Sequence, residues 1–142
     1  MHTFDFTIVT PERELLHTQV SRVTLPTAEG EITVLANHEP LVAVLVPGEM
    51  RVASGGEEHA FAVSRGFIEV RQKAVHVLAD TAERSDEIDE ERAIEAKRRA
   101  EELMQQTLDE EKLAETTAIL ERNLVRLHVV RKHKTRHMPK ID

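Results

Sequence analysis

The chain has 142 residues but contains no cysteine, tryptophan or tyrosine, and only four phenylalanines. Without cysteine, disulfides, zinc–thiolate sites and thiol nucleophiles are excluded, which fits a reducing compartment. The longest apolar run, 41–46, is far shorter than the roughly 20 residues that a membrane-spanning helix needs. No basic segment followed by an apolar one precedes Phe4, so we expect no secretion signal and only an indirect membrane association.

Glycine and proline are scarce, and their placement divides the chain in two. Every glycine and four of the five prolines lie before residue 67, whereas residues 85–136 contain neither. Up to residue 83, short apolar segments alternate with turn residues and no helical segment intervenes, which is typical of a small antiparallel β-sandwich. The predicted strands are 3–9, 19–25, 31–36, 41–46, 49–54, 58–64, 67–71 and 74–79.

Residues 84–142 have the composition of helices. Alanine, glutamate, lysine, arginine, leucine and glutamine dominate there, and all of them favour helix. The run from Thr107 to Glu110 fits a capping box that would start a second helix. We therefore predict an α+β chain, in which the sandwich (1–83) is followed by an antiparallel hairpin of two helices (84–142), each about twenty residues long.

The hairpin seam is predicted from two stripes at helical spacing. The first helix offers a small-residue stripe, and the second a leucine-rich one: Ala93, Ala96, Ala100 and Leu103 against Leu113, Thr117, Leu120, Leu124 and Leu127. Two helices bury little surface without tertiary support. A weakly held hairpin that opens or docks elsewhere and a permanently packed hairpin are both open interpretations at this point.

The net charge of −7 is unevenly distributed. Residues 1–83 and 84–120 each hold 6 Lys/Arg and 12 Asp/Glu, whereas residues 121–142 hold 7 and 2. A basic tail can indicate nucleic acid, but no stacking aromatic side chain accompanies it and the acidic remainder would repel phosphate. We expect no nucleic-acid partner, and an acidic protein surface as the target of the basic end.

Charged residues cluster in two turns of the β-patterned half. Glu29 and Glu31 flank Gly30, and His38 follows Asn37. Charged loops held by a rigid sheet are common places for partner contacts. Glu29, Glu31 and His38 are therefore candidate partner-binding residues, with ordinary solvated turns as the alternative.

Arginines of the helical half form a candidate anion site. In a hairpin centred near residue 107, Arg92 faces Arg122, and Ile88 faces Arg126. The planar guanidinium suits phosphate oxygens, and Asp89 could accept a hydrogen bond from an exocyclic amine such as that of adenine. Glu83 lies just before the helix. The alternative is that these arginines are solvated or paired with neighbouring acids.

Catalytic chemistry is not indicated by any pattern in the chain. Ser64 and Ser85 lack a histidine–carboxylate arrangement at helical or strand spacing, and there is no glycine-rich phosphate loop. We expect a protein that is not an enzyme, without catalytic residues, a metal site or a catalytic cofactor.

The whole chain resembles the epsilon subunit of bacterial rotary (F-type) ATP synthases. The resemblance rests on the order, the length and the motifs of both halves. Those motifs are the runs 4–13, 25–48, 62–64, 66–70 and 78–83, together with Ile88-Asp-Glu-Glu-Arg-Ala93 and the alanine- and arginine-rich run that follows it. Family members often carry glycine where Thr33 and Arg65 stand, and proline where Ala36 stands.

This resemblance implies a non-catalytic rotor subunit that couples the ring of membrane c subunits to the gamma shaft. The sandwich would bind gamma and the ring, with the Glu29–Glu31 turn facing the ring and His38 near gamma. The hairpin would extend to block ATP hydrolysis, bringing a basic face to the catalytic alpha and beta subunits: Arg122, Arg126, Arg131, Lys132 and Lys134. The implied location is peripheral, at the cytoplasmic face of the bacterial plasma membrane.

The resemblance also implies a regulatory ATP site in the folded hairpin. Ile88, Asp89, Arg92 and Ala93 match the family's ATP motif residue by residue. The remaining expected positions are Glu83, Arg99, Arg122 and Arg126. ATP would favour the compact state by binding it preferentially and would thereby release inhibition.

Two other functions remain open from the sequence. A free-standing ATP-binding sensor is motivated by the arginine cluster alone. A coiled-coil adaptor is motivated by the leucine stripe, and self-association through 113–127 would distinguish it.

Overall fold

The computed structural model describes residues 2–136, with side chains described up to residue 133. By compactness the chain divides into two units, Met1–Arg84 and Ser85–Asp142. The first unit consists of strands: β1 Phe4–Val9, β2 Glu14–Val20, β3 Arg22–Thr27, β4 Gly30–Leu35, β5 Leu41–Leu45, β6 Gly48–Ser54, β7 Glu57–Val63, β8 Gly66–Val70, β9 Ala74–Ala79 and β10 Ala82–Arg84. The predicted β-sandwich is confirmed.

The strands are joined along one hydrogen-bonded path. Its order is β10, β7, β6, β3, β5, β8, β9, β1 and β2, with β4 attached to β3. The pair β1–β9 is parallel, with Phe6 opposite Val75, whereas β1–β2 and β8–β9 are antiparallel. No tight turn connects β1 to β9, so nothing imposes the antiparallel direction that hairpins require.

The core of the first unit is built by alternate residues of its strands. Phe4, Phe6 and Ile8 of β1 are buried, as the period-two pattern of a half-buried strand predicts. The largest fully buried partners come from strands spread along the chain: Leu25, Leu45, Met50 and Ile68. Each such side chain contributes about 1.5–3 kcal/mol by burial, so this core accounts for a stable scaffold.

Two strands, β2 and β10, were not predicted. β2 lies at one end of the hydrogen-bonded path, and most of its residues are at least partly exposed. An edge strand of this kind needs few apolar residues, so its sequence carries a weak strand pattern. The predicted strand 19–25 in fact spans a break at Ser21, between β2 and β3.

Two glycines are required by the backbone of the sandwich. Gly30 has a φ of +113°, a value that side chains with a Cβ rarely adopt. At Gly66, a Cβ would lie 1.7 Å from the carbonyl oxygen of Leu78. The β3–β4 turn and the β8–β9 pairing therefore both depend on glycine.

The second unit begins with a short 3-10 helix, Ser85–Glu87, followed by α1 (Glu90–Met104) and α2 (Glu110–Arg136). The predicted cap at Thr107 was wrong, because the Asp109 carboxylate accepts the hydrogen bond from the Lys112 amide at 2.8 Å. A carboxylate is an equally good cap at this position. The helices have 15 and 27 residues, rather than about twenty each.

The two helices pack as the predicted hairpin, and the ion pair between Glu90 Oε1 and Arg131 Nε (3.7 Å) joins the start of α1 to the C-terminal part of α2. The buried residues of α1 include Ala93 and Ala100. Those of α2 are Thr116, Asn123, Leu127 and Val129.

The predicted leucine stripe was wrong in part, since Leu113 and Leu124 are 43% and 45% exposed. The distance between packed helices depends on the side chains at the contact. Alanines on α1 allow close approach, and short Thr116 and Asn123 fit such a seam better than leucine does.

None of the helices within residues 2–136 is long and apolar enough to cross a membrane.

Candidate functional site

The acidic turn between β3 and β4 is held by Thr27. Its hydroxyl donates to the Gly30 carbonyl oxygen and accepts from the Glu29 amide at 3.2 Å. Glu29 and Glu31 are both exposed. The turn therefore presents two exposed carboxylates on a fixed backbone, and its role in partner binding stays a prediction.

Glu31 is not solvated freely, because Arg51 of β6 reaches it. Arg51 Nη2 lies 3.2 Å from Glu31 Oε1, and Nη1 lies 3.1 Å from Glu49 Oε1. Partial burial lowers the pKa of Arg51, but the hydrogen bonds to Glu31 and Glu49 outweigh it and raise the pKa above its usual value. Sequence reasoning did not find this cluster, whose only signal was the charged pair at i and i+2 within an apolar strand.

His38 occupies the loop that follows β4. Its backbone amide donates to the Leu35 carbonyl oxygen at 3.3 Å, and Nδ1 lies 2.7 Å from the Glu39 carbonyl oxygen. A carbonyl oxygen can only accept a hydrogen bond, so Nδ1 is the donor in this contact. The acidic turn includes the first residues of β4, whereas the His38 loop follows the last one.

An apolar row on the outer face of the sandwich was missed by sequence reasoning. Val44 pairs with Phe67, and Phe67 pairs with Leu78, across β5, β8 and β9. With Val42 on the same face of β5, these side chains are 72% (Val42), 49% (Val44), 60% (Phe67) and 51% (Leu78) exposed. The signal was present in 41–46, which is apolar without alternation, so that both faces of β5 are apolar although only one can face the core.

The predicted ATP motif forms the start of α1. The Asp89 carboxylate caps the helix by accepting from the Arg92 amide at 3.1 Å, and Arg92 Nε lies 3.6 Å from Asp89 Oδ2. Ile88 and Ala93 are buried, whereas the Arg92 side chain is 85% exposed. Asp89 thus caps the helix in this structure, and the Arg92 guanidinium is largely accessible.

The other predicted ATP-site residues lie on several elements. Arg99 Nε lies 3.1 Å from Glu95 Oε1, and Arg126 Nη1 donates to Asn123 Oδ1 at 2.9 Å. Glu83 belongs to β10, opposite Ala62 of β7, and Arg122 is exposed on α2. The convergence of Arg92, Arg122 and Arg126 on one anion stays a prediction.

Two members of the predicted basic face line a cleft on the hairpin, and the face itself stays a prediction. Arg131 and Lys132 line an open cleft together with Lys97, Leu124, Leu127 and His128. The side chain of Lys134 lies outside the described residues. Among the residues that the structure describes, no group of three histidine or carboxylate side chains is arranged to hold a metal ion.

Comparison with known proteins matches both units. Residues 3–85 match the family model "ATP synthase, Delta/Epsilon chain, beta-sandwich domain", and residues 86–131 match the model of its "long alpha-helix domain". The chain is 44% identical over 129 residues to the ATP synthase epsilon chain of Herpetosiphon aurantiacus, covering 91% of this chain and 95% of that one. It is 48% identical over 128 residues to the epsilon chain of Dehalococcoides mccartyi, covering 89% and 91%.

Solved structures give the same picture. A chain in the Euglena gracilis mitochondrial ATP synthase, in a structure containing OSCP, F1 and c-ring, matches with a TM-score of 0.65 and 27% identity, covering 96% of this chain and 82% of that one. A chain of the Tetrahymena thermophila central stalk and c-ring matches with a TM-score of 0.53 and 19% identity over 61% of this chain and 70% of that one, a likeness of fold alone.

Proposed function

Because the chain belongs to the family of ATP synthase delta/epsilon chains, we propose that it is the rotor subunit that connects the c-ring to the gamma shaft. In this role the subunit is not catalytic, and it lies peripherally at the cytoplasmic face of a bacterial plasma membrane. The single observation that carries the proposal is the exposed apolar row of Val42, Val44, Phe67 and Leu78 on the sandwich.

The apolar row has the character of a docking surface for gamma. Contiguous exposed apolar side chains on a soluble unit mark interaction sites, and the centres of protein interfaces are depleted of charge and enriched in aromatic side chains. The row has one aromatic member, Phe67, flanked on paired strands by Val44 and Leu78. Its rim carries Arg65 and Asp80, which line the same depression as Phe67.

The acidic turn is proposed to contact the c-ring, and the His38 loop to lie near gamma. The two lie at opposite ends of β4, so one strand could serve two partners without either blocking the other. Carboxylates at a turn suit basic side chains of a partner, mainly by steering association and fixing its orientation.

The hairpin is proposed to act as the mobile inhibitory element. Within the described part of the hairpin, the buried polar side chains Thr116 and Asn123 are satisfied inside α2, because Thr116 Oγ1 donates to the Lys112 carbonyl oxygen (2.7 Å) and Asn123 Nδ2 to that of Ile119 (2.8 Å). Separation of the helices therefore leaves these groups hydrogen-bonded, which avoids a cost of about 1–3 kcal/mol for each unsatisfied group. When extended, α2 would bring its basic face to acidic surfaces of the catalytic alpha and beta subunits.

ATP is proposed to act on this equilibrium as a regulatory ligand of the folded hairpin. Largely exposed Arg92 would bind phosphate, together with Arg122 and Arg126 from α2. A ligand that binds only one of two states shifts the population toward that state in proportion to its differential affinity. High ATP would then retain the folded hairpin and relieve inhibition.

The test is assembly of the full-length chain into an ATP synthase complex that has been depleted of this subunit. Phe67→Asp should weaken assembly strongly, since it places a charge at the centre of a desolvated contact. Ile94→Asp is the matched control, because Ile94 is a similarly exposed apolar residue on α1, outside the sandwich. Equal assembly of the two variants would show that the apolar row is not the docking surface.

A further inference from the structure

One buried carboxylate belongs to none of the surfaces above. The Glu49 side chain on β6 is only 6% exposed. A buried carboxylate is costly unless an opposite charge and hydrogen bonds compensate it. Arg51, two residues further along the same strand, supplies both, with Nη1 at 3.1 Å from Glu49 Oε1.

The same guanidinium crosses β3 to reach the acidic turn. Arg51 pairs with Thr24 of β3, and Glu31 pairs with Pro26 of the same strand. Residues two apart in a strand share a face, so Glu31, Pro26 and Arg51 lie on one face of the sheet. Arg51 contacts both oxygens of Glu31, at 3.2 and 3.5 Å.

Arg51 is well placed to fix the position of Glu31. Its side chain is 25% exposed, so the guanidinium is screened less than a fully solvated one would be. If Arg51 were absent, Glu31 would lose the guanidinium that contacts both of its carboxylate oxygens. The carboxylate of Glu31 would then sample several rotamers instead of one.

We infer that Arg51 is a positioning residue that holds Glu31 in the orientation needed for partner binding at the β3–β4 turn. The inference rests on the proposed contact between this turn and a basic segment of the c-ring. Fixing a side chain before binding reduces the entropy lost on association. Arg51 therefore acts through Glu31 and does not itself need to touch the partner.

The test must separate positioning from folding, because Arg51→Met alone would also remove the hydrogen bond that Arg51 donates to the buried carboxylate of Glu49. The variant pair Glu49→Gln and Arg51→Met removes both charges and keeps the strand neutral. Binding of the full-length chain to the subunit-depleted complex is then measured for the wild type, Glu31→Gln, the Glu49→Gln/Arg51→Met variant and all three changes combined. Glu49→Gln alone is the matched control, and Arg51→Lys tests partial rescue.

The expected result is non-additive. Glu31→Gln and the Glu49→Gln/Arg51→Met variant should each weaken binding roughly three- to fivefold, the size expected of a partly exposed pair. The triple variant should be no weaker than Glu31→Gln alone, since Arg51 acts only through Glu31. Effects that add, or tighter binding without Arg51, would overturn the inference.

Failure of the proposed function would look different. If Glu31→Gln leaves binding unchanged while Phe67→Asp still weakens assembly, the positioning role is overturned but the place of the subunit in the complex stands. If neither change affects assembly, both the proposed surfaces and the inference are rejected.

Discussion

The sandwich and the hairpin bury different kinds of side chain. The sandwich encloses large apolar residues such as Phe6, Met50 and Ile68, whereas the hairpin seam is made of alanine, threonine and asparagine with few large apolar members. Burial free energy scales with apolar area, so the first unit is built to keep one shape and the second to be held weakly. This contrast is consistent with the proposed function, in which the sandwich stays attached while the hairpin changes state.

The largest expected difference between the units is in core substitutions. Phe6→Ala should lower the free energy of unfolding of the sandwich by about 3–5 kcal/mol, because it leaves a cavity among fully buried neighbours. Leu127→Ala should instead increase hydrogen exchange of α2 amides and leave the β-strand amides protected. Hydrogen exchange of the full-length chain, with urea unfolding alongside, measures both.

The difference in stability between the two units would be contradicted if Leu127→Ala increased hydrogen exchange of the strand amides as much as that of the α2 amides. The chain would then unfold as one cooperative unit, and a separately mobile hairpin could not be sustained. Val42→Ala is the control, since Val42 is apolar but 72% exposed and its truncation should change stability by less than about 0.5 kcal/mol.

ATP provides a second test of the difference between the units, because we expect it to bind and stabilise the hairpin alone. Arg92→Ala or Arg122→Ala removes a charge-assisted contact worth about 1.5–3 kcal/mol, so ATP affinity should fall roughly ten- to a hundredfold. Calorimetric titration with ATP and with ADP, with and without magnesium, measures this. ATP at saturation should also protect α1 and α2 amides from exchange without affecting the sandwich.

The control for the nucleotide site is Arg98→Ala. Arg98 lies on α1 as well, but its guanidinium is bound by Glu95 and Glu102, outside the predicted motif. Unchanged affinity in both Arg92→Ala and Arg122→Ala would eliminate the site. Equal losses in all three variants would point to a general effect of charge.

The sequence predicts the sandwich better than the hairpin seam, because the two units bury different kinds of side chain. Strong alternation, as in Phe4, Phe6 and Ile8, identified core strands because the apolar face of a half-buried strand packs against the core. Edge strand β2 escaped because its residues are mostly solvated, so no periodicity reports its pairing.

The residues of the hairpin seam were predicted wrongly in part, because the side chains buried between the helices are not the most hydrophobic ones. Leu113 and Leu124 are exposed while Thr116 and Asn123 are buried, since helices that approach through alanine favour short side chains at the contact. The role of Arg51 could not be assigned either, because Glu31 is brought to it only by the order of β4, β3 and β6. Pairings that depend on strand order are not visible in local sequence.

The smallest expected effects concern pH, and they have opposite signs in the two units. On α1, hydrogen bonding from Arg98 lowers the pKa of Glu95, so its contribution is present above the ordinary carboxyl pKa and is lost as pH falls through the lowered value. On the sandwich, the hydrogen bond with Asp5 raises the pKa of His17. That contribution is present below about pH 6.5 and is lost as pH rises through the raised value.

Acid should therefore loosen α1 before the sandwich, whereas mild alkali should weaken only the contact between His17 and Asp5. The helical circular dichroism signal is followed from about pH 6 to pH 3. It should begin to fall at a higher pH in the wild type than in Glu95→Gln, which has no carboxylate at position 95 to protonate. Histidine NMR titration should place the pKa of His17 above its ordinary value of 6.5, and Asp5→Asn should lower it. Both groups are solvent-exposed, so each effect is small. If Glu95→Gln loses helix over the same pH range as the wild type, carboxylates elsewhere on α1 or α2 govern the acid response of the helices. The ion pairs of Arg98 with Glu95 and Glu102 would then contribute nothing to the difference between the units.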